Sequence, residues 1–539
     1  MDFLANVPYI VSWTIFLPAL GALLVLLMPS VNAVRWTALV TTLVTFVVSL
    51  GLWAGFDPAI ATDHAPQLAD RASWFPGINI TYYVGIDGLN LLLILLGTLL
   101  GPIIVLSSWT YITKYHKGYY ALMLLLLTGV IGVFASFDLF LFYVFFELTL
   151  IPMYFIIGIW GGENRIYAAV KFVVYTLVGS LLMLVGILWM GWQAGLAVND
   201  GVFTTEWYQL VAFNVPLGPQ TWLFLVFALA FMIKVPLFPL HTWLPDAHVQ
   251  APTGGSVILA GVLLKMGTYG LVRFVLPFFP VSSQQFAWPI LILAVIGIIY
   301  GGLVAFAQDD AKKLVAYSSV AHLGFVVLGI FAFNAEAMQG AMIQMINHGI
   351  STGALFLIIG MMYERRHTRL MADFGGLAKT VPILTFFMVL SVLASVGLPG
   401  LNGFVGEFLI LIGAFRSTVI DSPVLVAIAT AGVIVAAIYL LVMLYRTFWG
   451  PVTLEANRTM LDLNGREIGL LLPLAALMII LGFFPQPFLA KSEPAVLSLL
   501  ETIEEKRLFA LGDQAAEELV ADATEDALYP EDVLYYEAE

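Results

Sequence analysis

Seven ionisable residues lie inside long apolar stretches of this sequence, where a charge is energetically expensive. They are Glu147, Lys171, Lys234, Lys265, His322, His348 and Glu407. A charged side chain at the centre of a bilayer costs roughly 2.5–3.5 kcal/mol on insertion scales. Residues that a membrane protein keeps at such a cost usually face a wet cavity and move protons or ions. The residue types, two acids and five bases, suit proton transfer through water and side chains.

Each of these residues also has a simpler interpretation. A buried polar side chain can pair with a backbone carbonyl or cross-link two helices, and Lys171 lies near enough to a connection to extend its ammonium into water. Seven such positions in one chain nevertheless favour an ion path. His241 and His248 flank the proline-rich segment after Lys234, and they are candidates for an entry route.

The composition places most of the chain in a membrane. The 539 residues are 61% hydrophobic and 11% charged, with a mean hydropathy of +0.97, whereas soluble proteins carry about 25% charged residues. The sequence has no cysteine, which excludes disulfides, thiolate metal sites and iron–sulfur ligation. We found no phosphate loop, catalytic triad or metal-binding motif. The N-terminus lacks the features of a cleaved signal peptide and is predicted to enter the first helix.

Fourteen apolar runs are long enough to cross a bilayer, which takes about 17–25 residues. They predict an all-α polytopic membrane protein with about 14 transmembrane helices. The runs are 10–29, 33–55, 87–108, 119–134, 136–159, 167–193, 221–241, 253–277, 287–307, 312–333, 337–362, 381–415, 425–448 and 467–486. The seventh contains KVPLFP and the twelfth contains GLPGLNG, so both are predicted to be broken helices.

The distribution of lysine and arginine predicts the orientation. With the N-terminus outside, the inner connections carry 13 of these residues and the outer connections carry 6, as the positive-inside rule requires. The outer six are Arg71, Arg273, Arg416, Lys491, Lys506 and Arg507. Both termini are therefore predicted to lie on the outer, positive side.

The outer connections and the C-terminal tail carry their own signals. Residues 56–86 end in the alternating, strand-like stretch INITYYVGID, and residues 195–220 contain a short TEWYQL turn. The segment EPAVLSLLETIEEKRL predicts one amphipathic helix. Residues 511–539 are strongly acidic and are predicted to be disordered or ordered only by a partner.

An internal repeat appears when the chain is compared with itself at a shift of about 174 residues. Lys234 then falls one residue from Glu407, and both lie beside a Pro/Gly-interrupted stretch. The two positions are five spans apart, so the repeats would be inverted and the ion site would lie near the midplane. We therefore divide the chain into N-terminal helices 1–3 (1–118), a first five-helix repeat (119–277), a second, inverted repeat (287–448), the last span (449–490) and the acidic tail (491–539).

The stretches around these residues resemble a known family. FELTLIPMYFIIGIWGG, FMIKVPLFPLHTWLPDAHVQAPTGGSVILAGVLLKMGTYGLVR, DDAKKLVAYSSVAHLGF, INHGISTGALFLIIGMM and GLPGLNGFVGEFLIL are similar to the antiporter-like membrane subunits of respiratory complex I. The resemblance covers roughly residues 85–450. It implies a proton-translocating membrane-arm subunit that couples quinone reduction to proton pumping.

The resemblance also implies roles for single residues. Glu147 matches the glutamate that pairs with the lysine of the broken seventh helix, here Lys234. Lys265 matches the central lysine of the eighth helix, and His322 and His348 match histidines of the hydrophilic axis. In this family the chain binds no cofactor or metal itself, because NADH, FMN, iron–sulfur clusters and quinone are held by other subunits of the NADH-quinone oxidoreductase.

Glu407 matches the terminal glutamate of the broken twelfth helix. The L-type and N-type chains usually have lysine there, so the glutamate favours the M-type branch. L-type chains also carry a long lateral helix after the last span, and no segment past 487 is predicted to be long enough. The implied partners are L-like and N-like chains on either side, in the bacterial inner membrane, with no nucleic acid.

Two other hypotheses remain open at the sequence level. The chain could be a D-type subunit of a multisubunit Na⁺/H⁺ antiporter, which shares the Glu–Lys–Lys–Glu set. It could also be a passive scaffold, in which the buried charges only hold helices together. Neutralising Lys234 or Glu407 would then impair assembly and leave coupling intact.

Overall fold

The protein is an all-α polytopic membrane protein. The computed structural model describes residues 7–63 and 65–528. Within that part of the chain, thirteen helices are long and apolar enough to cross a membrane, and a shorter apolar helix, Pro382–Val396, begins the twelfth span. Each of the fourteen predicted spans corresponds to a helix or a helix pair, which confirms the predicted fold class.

The first half of the chain contains the N-terminal helices and the first break. Its helices are α1 (Ile10–Leu27), α2 (Val31–Gly55), α3 (Leu91–Tyr111), α4 (His116–Ala135), α5 (Leu139–Leu148), α6 (Leu150–Trp160), α7 (Arg165–Val198), α8 (Trp207–Ala212), α9 (Leu217–Lys234), α10 (Trp243–Gln250) and α11 (Thr253–Phe278).

The second half contains the second break and the C-terminal helix. Its helices are α12 (Pro280–Gln285), α13 (Ala287–Phe306), α14 (Ala311–Ile330), α15 (Ala335–Arg366), α16 (Leu377–Thr380), α17 (Pro382–Val396), α18 (Asn402–Arg416), α19 (Pro423–Phe448), α20 (Glu455–Arg458), α21 (Gly465–Phe483) and α22 (Gln486–Leu528). Short 3₁₀ turns occupy Pro58–Asp63, Pro76–Ile78 and Met371–Asp373.

The connections separate onto two faces. A β-hairpin, β1 (Gln67–Phe75) paired antiparallel with β2 (Ile80–Ile86), lies on one face together with α8 and α22. We call this the hairpin face. The connection after α6, the end of α10 and residues 367–370 meet on the opposite face, where Arg369 contacts both Asp310 and the Val249 carbonyl.

The core is formed by helices that other helices surround on all sides. α11 is buried along its whole length, α15 is buried except at its two ends, and α14, α3 and α4 are largely buried. α15 packs against α11, α14 and α18. The outer helices α1, α2, α7 and α19 expose leucine, valine, isoleucine and phenylalanine side chains, as a surface in contact with lipid requires. A polar side chain on a central helix is therefore shielded from lipid.

The first break separates α9 from α10. α9 ends at Lys234, and Pro236 and Pro239 lack the backbone N–H groups that a continuous helix would need. The indole of Trp243 donates to the Ile233 carbonyl at 2.9 Å, so one carbonyl freed by the break has a partner. The break thereby leaves the Lys234 side chain at the C-terminal end of a half-helix in the middle of the protein.

The second break separates α17 from α18. Gly397 and Gly400 have φ angles of 81° and 92°, a backbone region that residues with a Cβ rarely adopt. Asn402 opens α18 and exchanges side-chain to backbone hydrogen bonds with Asn347 of α15, at 2.7 and 3.3 Å. These bonds hold the broken backbone against the central helix and satisfy groups that lipid could not.

The C-terminal segment differs in part from its prediction. EPAVLSLLETIEEKRL is helical as predicted, but α22 has 43 residues and continues through 511–528, which we had predicted to be disordered or ordered only by a partner. The prediction that no segment past 487 is long enough for the lateral helix of L-type chains stays a prediction, although α22 is itself a long helix. α22 lies on the hairpin face, where it packs against residues 58–63, α12 and α15. The last residues of the predicted tail, 529–539, lie outside the described part of the chain.

Candidate functional site

Four of the predicted residues form a continuous line of contacts through the buried core. The Nζ atom of Lys265 lies 2.7 Å from Nδ1 of His348. The rings of His348 and His322 have centroids 6.0 Å apart, and Nδ1 of His322 lies 2.9 Å from Oε1 of Glu407. All four side chains are at least 96% buried. The line crosses from α11 through α15 and α14 to α18, and thus ends at the second broken helix.

A π-helical turn positions Lys265. The segment Leu259–Leu263 has the wider π geometry, and the Lys265 ammonium donates to the carbonyl of Ala260 within it. Such turns are rare and occur frequently at functional sites. Gly349, next to His348, lets α15 approach closely, because a Cβ there would lie 2.8 Å from the Gly261 carbonyl. The lysine and the histidine therefore meet where two central helices are in direct backbone contact.

Glu407 lies in a polar network. Besides His322, the amide of Gln344 donates to Oε1 of Glu407 at 3.2 Å. The Tyr439 hydroxyl lies 3.4 Å from Nε2 of His322. Gln344, Asn347, His348 and Ser351 form a polar stripe at helical spacing on α15. Gln344 and Asn347 were not among the predicted residues, although Gln344 precedes Asn347 by three residues and His348 by four, a readable helical signal.

Lys234 lies in an environment without hydrogen bonds. It is 1% exposed, and its Nζ atom has no hydrogen-bond partner within the described chain. The ammonium instead lies 4.9 Å from the ring centroid of Phe146 and 5.5 Å from that of Phe172. Aromatic faces attract a cation but give it no fixed bond. Phe146 precedes Glu147, so α5 supplies both a ring and a carboxylate to this lysine.

Glu147 faces Lys234 without forming an ion pair with it. The polar groups beside Glu147 include Lys234, Ser180 and Tyr143, while its Oε1 atom has no hydrogen-bond partner in the described chain. Glu147 also lines a largely apolar groove of about 710 Å³ between α5–α6 and α7. Lys234 and Lys265 form no hydrogen bond with each other. Between them, α11 packs closely at Gly267 against the backbone and the Val235 side chain at the end of α9.

A second group of polar residues leads from Lys265 toward the opposite face. His248 is fully buried against Phe356, with ring centroids 4.6 Å apart, and neither of its nitrogens has a partner in the described structure. Lys312, which we had assigned to a connection, is buried at the start of α14 and donates to the Ala251 carbonyl at 2.6 Å. Lys312 also lines a cavity of about 440 Å³ that opens on that face.

The remaining candidates lie off this line. Lys171 forms a partly exposed ion pair with Asp246 at 2.7 Å. His241 is packed among Phe238, Tyr300 and Tyr317. No group of three potential metal ligands occurs in residues 7–63 and 65–528.

A comparison with family models places the chain. Residues 136–443 match the family described as the NADH:quinone oxidoreductase/Mrp antiporter transmembrane family. The NADH-quinone oxidoreductase subunit M of Rhodobacter capsulatus is 45% identical over 480 residues, which cover 87% of this chain and 90% of that protein. The chain belongs to the antiporter-like membrane subunits of complex I.

The solved structures agree with this assignment. In respiratory complex I from Thermus thermophilus, one antiporter-like chain is 34% identical, with a TM-score of 0.82, over 92% of this chain and 99% of that one. The Mrp complex from Dietzia sp. DQ12-45-1b contains a chain with the same fold, at 20% identity and a TM-score of 0.73, over 95% and 99% of the two chains. The Escherichia coli subunit M is 42% identical over 501 residues. The chains from complex I and from the Mrp complex thus share one fold with this protein. The sequence identities of 42–45% relate this protein to subunit M.

Proposed function

We propose that this chain is a proton-translocating membrane subunit of a complex I-like NADH-quinone oxidoreductase. The observation that carries the proposal is the buried line of contacts from Lys265 through His348 and His322 to Glu407. Lysine, histidine and glutamate can all gain and lose protons, and each lies within one side chain or one water of the next. Such a line is suited to proton transfer and would be a costly way to hold helices together.

Lys234 is the switched group in this mechanism. Its ammonium rests against two rings, so its charge depends on the carboxylate of Glu147 nearby. Two unit charges at 4 Å interact by about 4 kcal/mol at an effective dielectric of 20. Moving one charge across 100 mV takes about 2.3 kcal/mol. Separating Glu147 and Lys234 from about 4 Å to about 9 Å at this dielectric would change their interaction by about 2.3 kcal/mol, enough to load or release one proton.

Transfer proceeds from the first half of the chain to the second. We place the opposite face on the inner side of the membrane. Protons enter from that side and bind Lys234 in the middle of the protein. A cationic Lys234 repels the proton on Lys265, which passes through His348 and His322 to Glu407. Glu407, held by His322 and Gln344, releases the proton outward beside the second break.

Neighbouring membrane subunits complete the site. The groove over Glu147 is wide and apolar, and a carboxylate in contact with lipid would be unfavourable. We assign this groove to the adjacent antiporter-like chain, with L-like and N-like chains as the two neighbours. Electrons stay on other subunits, where NADH, FMN, iron–sulfur clusters and quinone bind, and the assembly lies in the bacterial inner membrane with both termini of this chain outside.

The test breaks the line at its centre. Inverted membrane vesicles carrying His348→Ala or His348→Gln are given NADH, and the pH gradient is followed with an acridine dye while assembly is checked on a native gel. Glutamine keeps most of the volume but cannot relay a proton. We expect NADH oxidation and the pH gradient to fall at least about fivefold in an assembled complex, a barrier rise of about 1 kcal/mol. His116→Ala, at the start of α4 and away from the line, is the matched control and should pump normally.

The other outcomes separate the alternatives. Normal pumping by assembled His348→Gln would contradict the proposed line. Intact NADH-driven pumping together with loss of sodium-dependent proton exchange would assign the chain to an Mrp-type antiporter. Loss of assembly in His348→Gln, with full coupling in the complexes that remain, would identify the line as a scaffold.

A further inference from the structure

Arg273 is buried on the central helix α11, although the sequence analysis assigned it to an outer connection. Its side chain is 1% exposed and lies two turns from Lys265. The residue belongs to a second π-helical turn, Leu271–Val275. At 1.5 Å per residue, Arg273 and Lys265 are about 12 Å apart along the helix. The mechanism proposed above makes no use of this cation.

The guanidinium is fixed from several directions. It forms an ion pair with Asp87 at 2.6 Å, and its Nε donates to the Tyr269 hydroxyl at 2.9 Å. It also lies between 4.9 and 5.3 Å from the ring centroids of Phe137, Trp207 and Tyr269. These contacts leave the guanidinium no freedom to swing away from α11.

The ion pair lies directly between Lys265 and the hairpin face. Asp87 and Arg273 line a cavity of about 40 Å³ that is bounded by α8 and α22 and opens on that face. On α11, the ionisable residues between Lys265 and the cavity are Tyr269 and Arg273 themselves. Lys265, Tyr269 and Arg273 follow one another at four-residue spacing on α11, so polar side chains lead from Lys265 to this cavity over about 12 Å.

We infer that Arg273, locked by Asp87 and Tyr269, is an electrostatic plug that prevents protons on Lys265 from leaking directly to the hairpin face. Arginine keeps its proton at any physiological pH, so it cannot act as a relay. A fixed positive charge in a narrow passage excludes protons, as in selective water channels. The plug forces each proton to travel to Glu407, and this inference rests on the proton-translocating function proposed above.

The test measures passive proton leak. The purified complex is reconstituted into liposomes that contain the pH dye pyranine, and a potassium diffusion potential drives protons in the absence of NADH. The variants are Arg273→Lys and the charge-neutral pair Asp87→Asn/Arg273→Met. We expect at least about a fivefold faster leak in the neutral pair, because the locked guanidinium no longer stands between Lys265 and the cavity. Arg273→Lys should leak at least about twofold faster, since a flexible ammonium cannot hold the forked geometry of arginine.

The matched control removes an exposed ion pair on the same face, away from the cavity beside Arg273. Glu336→Gln/Arg416→Met breaks an exposed pair at 2.6 Å and should leak like the native complex. With NADH as fuel, the neutral pair should oxidise NADH without further stimulation by an uncoupler.

Two results would overturn the plug. One is a native leak rate in either assembled variant. The other is a leak that also releases carboxyfluorescein, because a hole in the packing passes dyes and a missing electrostatic barrier does not. If the native complex forms no gradient with NADH, the proposed function fails, while the leak assay still judges the plug by itself.

Discussion

The two broken helices place opposite charges in opposite kinds of environment. At the first break, Lys234 ends α9 against the rings of Phe146 and Phe172, and its ammonium has no hydrogen-bond partner in the described chain. At the second break, Glu407 accepts hydrogen bonds from His322 and Gln344. The same architectural device, a span interrupted by proline or glycine, thus produces an aromatic-lined site for the base and a hydrogen-bonded site for the acid.

The difference indicates a division of labour. A buried cation without hydrogen bonds is governed by the nearest mobile charge, so Lys234 responds to Glu147. A carboxylate with two donors is held in one geometry and changes little when a distant charge moves. The first break is therefore suited to switching, and the second is suited to holding a proton until its release. Substitutions at Lys234 and at Glu407 disturb the two sides of this comparison separately.

The largest effect is expected at Lys234. Replacing it with methionine keeps the volume and the apolar contacts with Phe146 and Phe172 while removing the charge. We expect the complex to assemble, because no hydrogen bond is lost, and NADH-driven pumping to fall at least about tenfold, equivalent to 1.4 kcal/mol or more in the coupled step. Pumping in inverted vesicles and complex content on a native gel measure the two effects separately.

Lys171 is the matched control for this prediction. It lies on the neighbouring helix α7, but its ammonium is paired with Asp246 and is partly exposed. Exposed pairs contribute about 0–1 kcal/mol, so Lys171→Met should change pumping by about twofold at most. Equal losses in the two variants would remove the distinction between a switched lysine and an ordinary one.

An intermediate effect is expected at Glu407. In Glu407→Gln the amide oxygen can still accept from His322 and Gln344, so the network persists while the titrating group is lost. We expect normal amounts of complex and pumping lowered about three- to tenfold. Proton pumping normalised to the amount of assembled complex is the measurement.

Glu407→Leu tests the hydrogen-bonded character of the same site. Leucine leaves the buried donors of His322 and Gln344 without their acceptor, at a cost of roughly 1–3 kcal/mol each. This variant should therefore lose complex as well as activity, in contrast to Lys234→Met. Normal assembly of Glu407→Leu would show that the two sites do not differ in the way we describe.

Much of the fold was readable because the signals are local. Apolar runs located all fourteen spans, and KVPLFP and GLPGLNG located both breaks. The alternating INITYYVGID predicted β2. The C-terminal helix was misjudged, because acidic composition outweighed helix propensity in residues 511–528. The inverted relation of the two halves and the orientation of the chain stay predictions.

The site was predictable in its residues but less so in its contacts. Ionisable residues within apolar runs of the sequence identified Lys265, His322, His348 and Glu407. The fold brings these four side chains into one line. That line depends on which faces of α11, α14, α15 and α18 meet, and helix packing is not written in the spacing of a single segment. Arg273 and Lys312 were taken for connection residues because a hydropathy profile loses resolution within a few residues of a helix end.

Lys506, outside the membrane spans, is a partly buried lysine whose ammonium has hydrogen-bond partners. Its ammonium donates to the carbonyls of Val211 and Phe213 at 2.8 and 3.2 Å and so fastens α22 to the end of α8. Burial lowers the pKa of Lys506 to about 7, from an ordinary value of 10.5. When α22 undocks, the lysine regains its ordinary pKa and binds a proton between these values. Docking therefore strengthens as pH rises from about 7 to 10.5 and is weakest below about pH 7.

The pH dependence of α22 docking is the smallest expected effect. It can be measured with spin labels, because the chain has no native cysteine and introduced cysteines are the only labelling sites on it. Spin labels at Glu505→Cys on α22 and Gly218→Cys at the start of α9 report the distance between the helix and the body by pulsed electron paramagnetic resonance. We expect a broader or longer distance distribution at pH 6 than at pH 9. Lys506→Met should abolish this difference, since methionine has no proton to gain. A pH response that persists in Lys506→Met would assign it to another group. If the response disappears in Lys506→Met, the lysine pays for desolvation even though two backbone carbonyls accept its hydrogen bonds. Lys234 is desolvated as well, and its ammonium has no hydrogen-bond partner in the described chain.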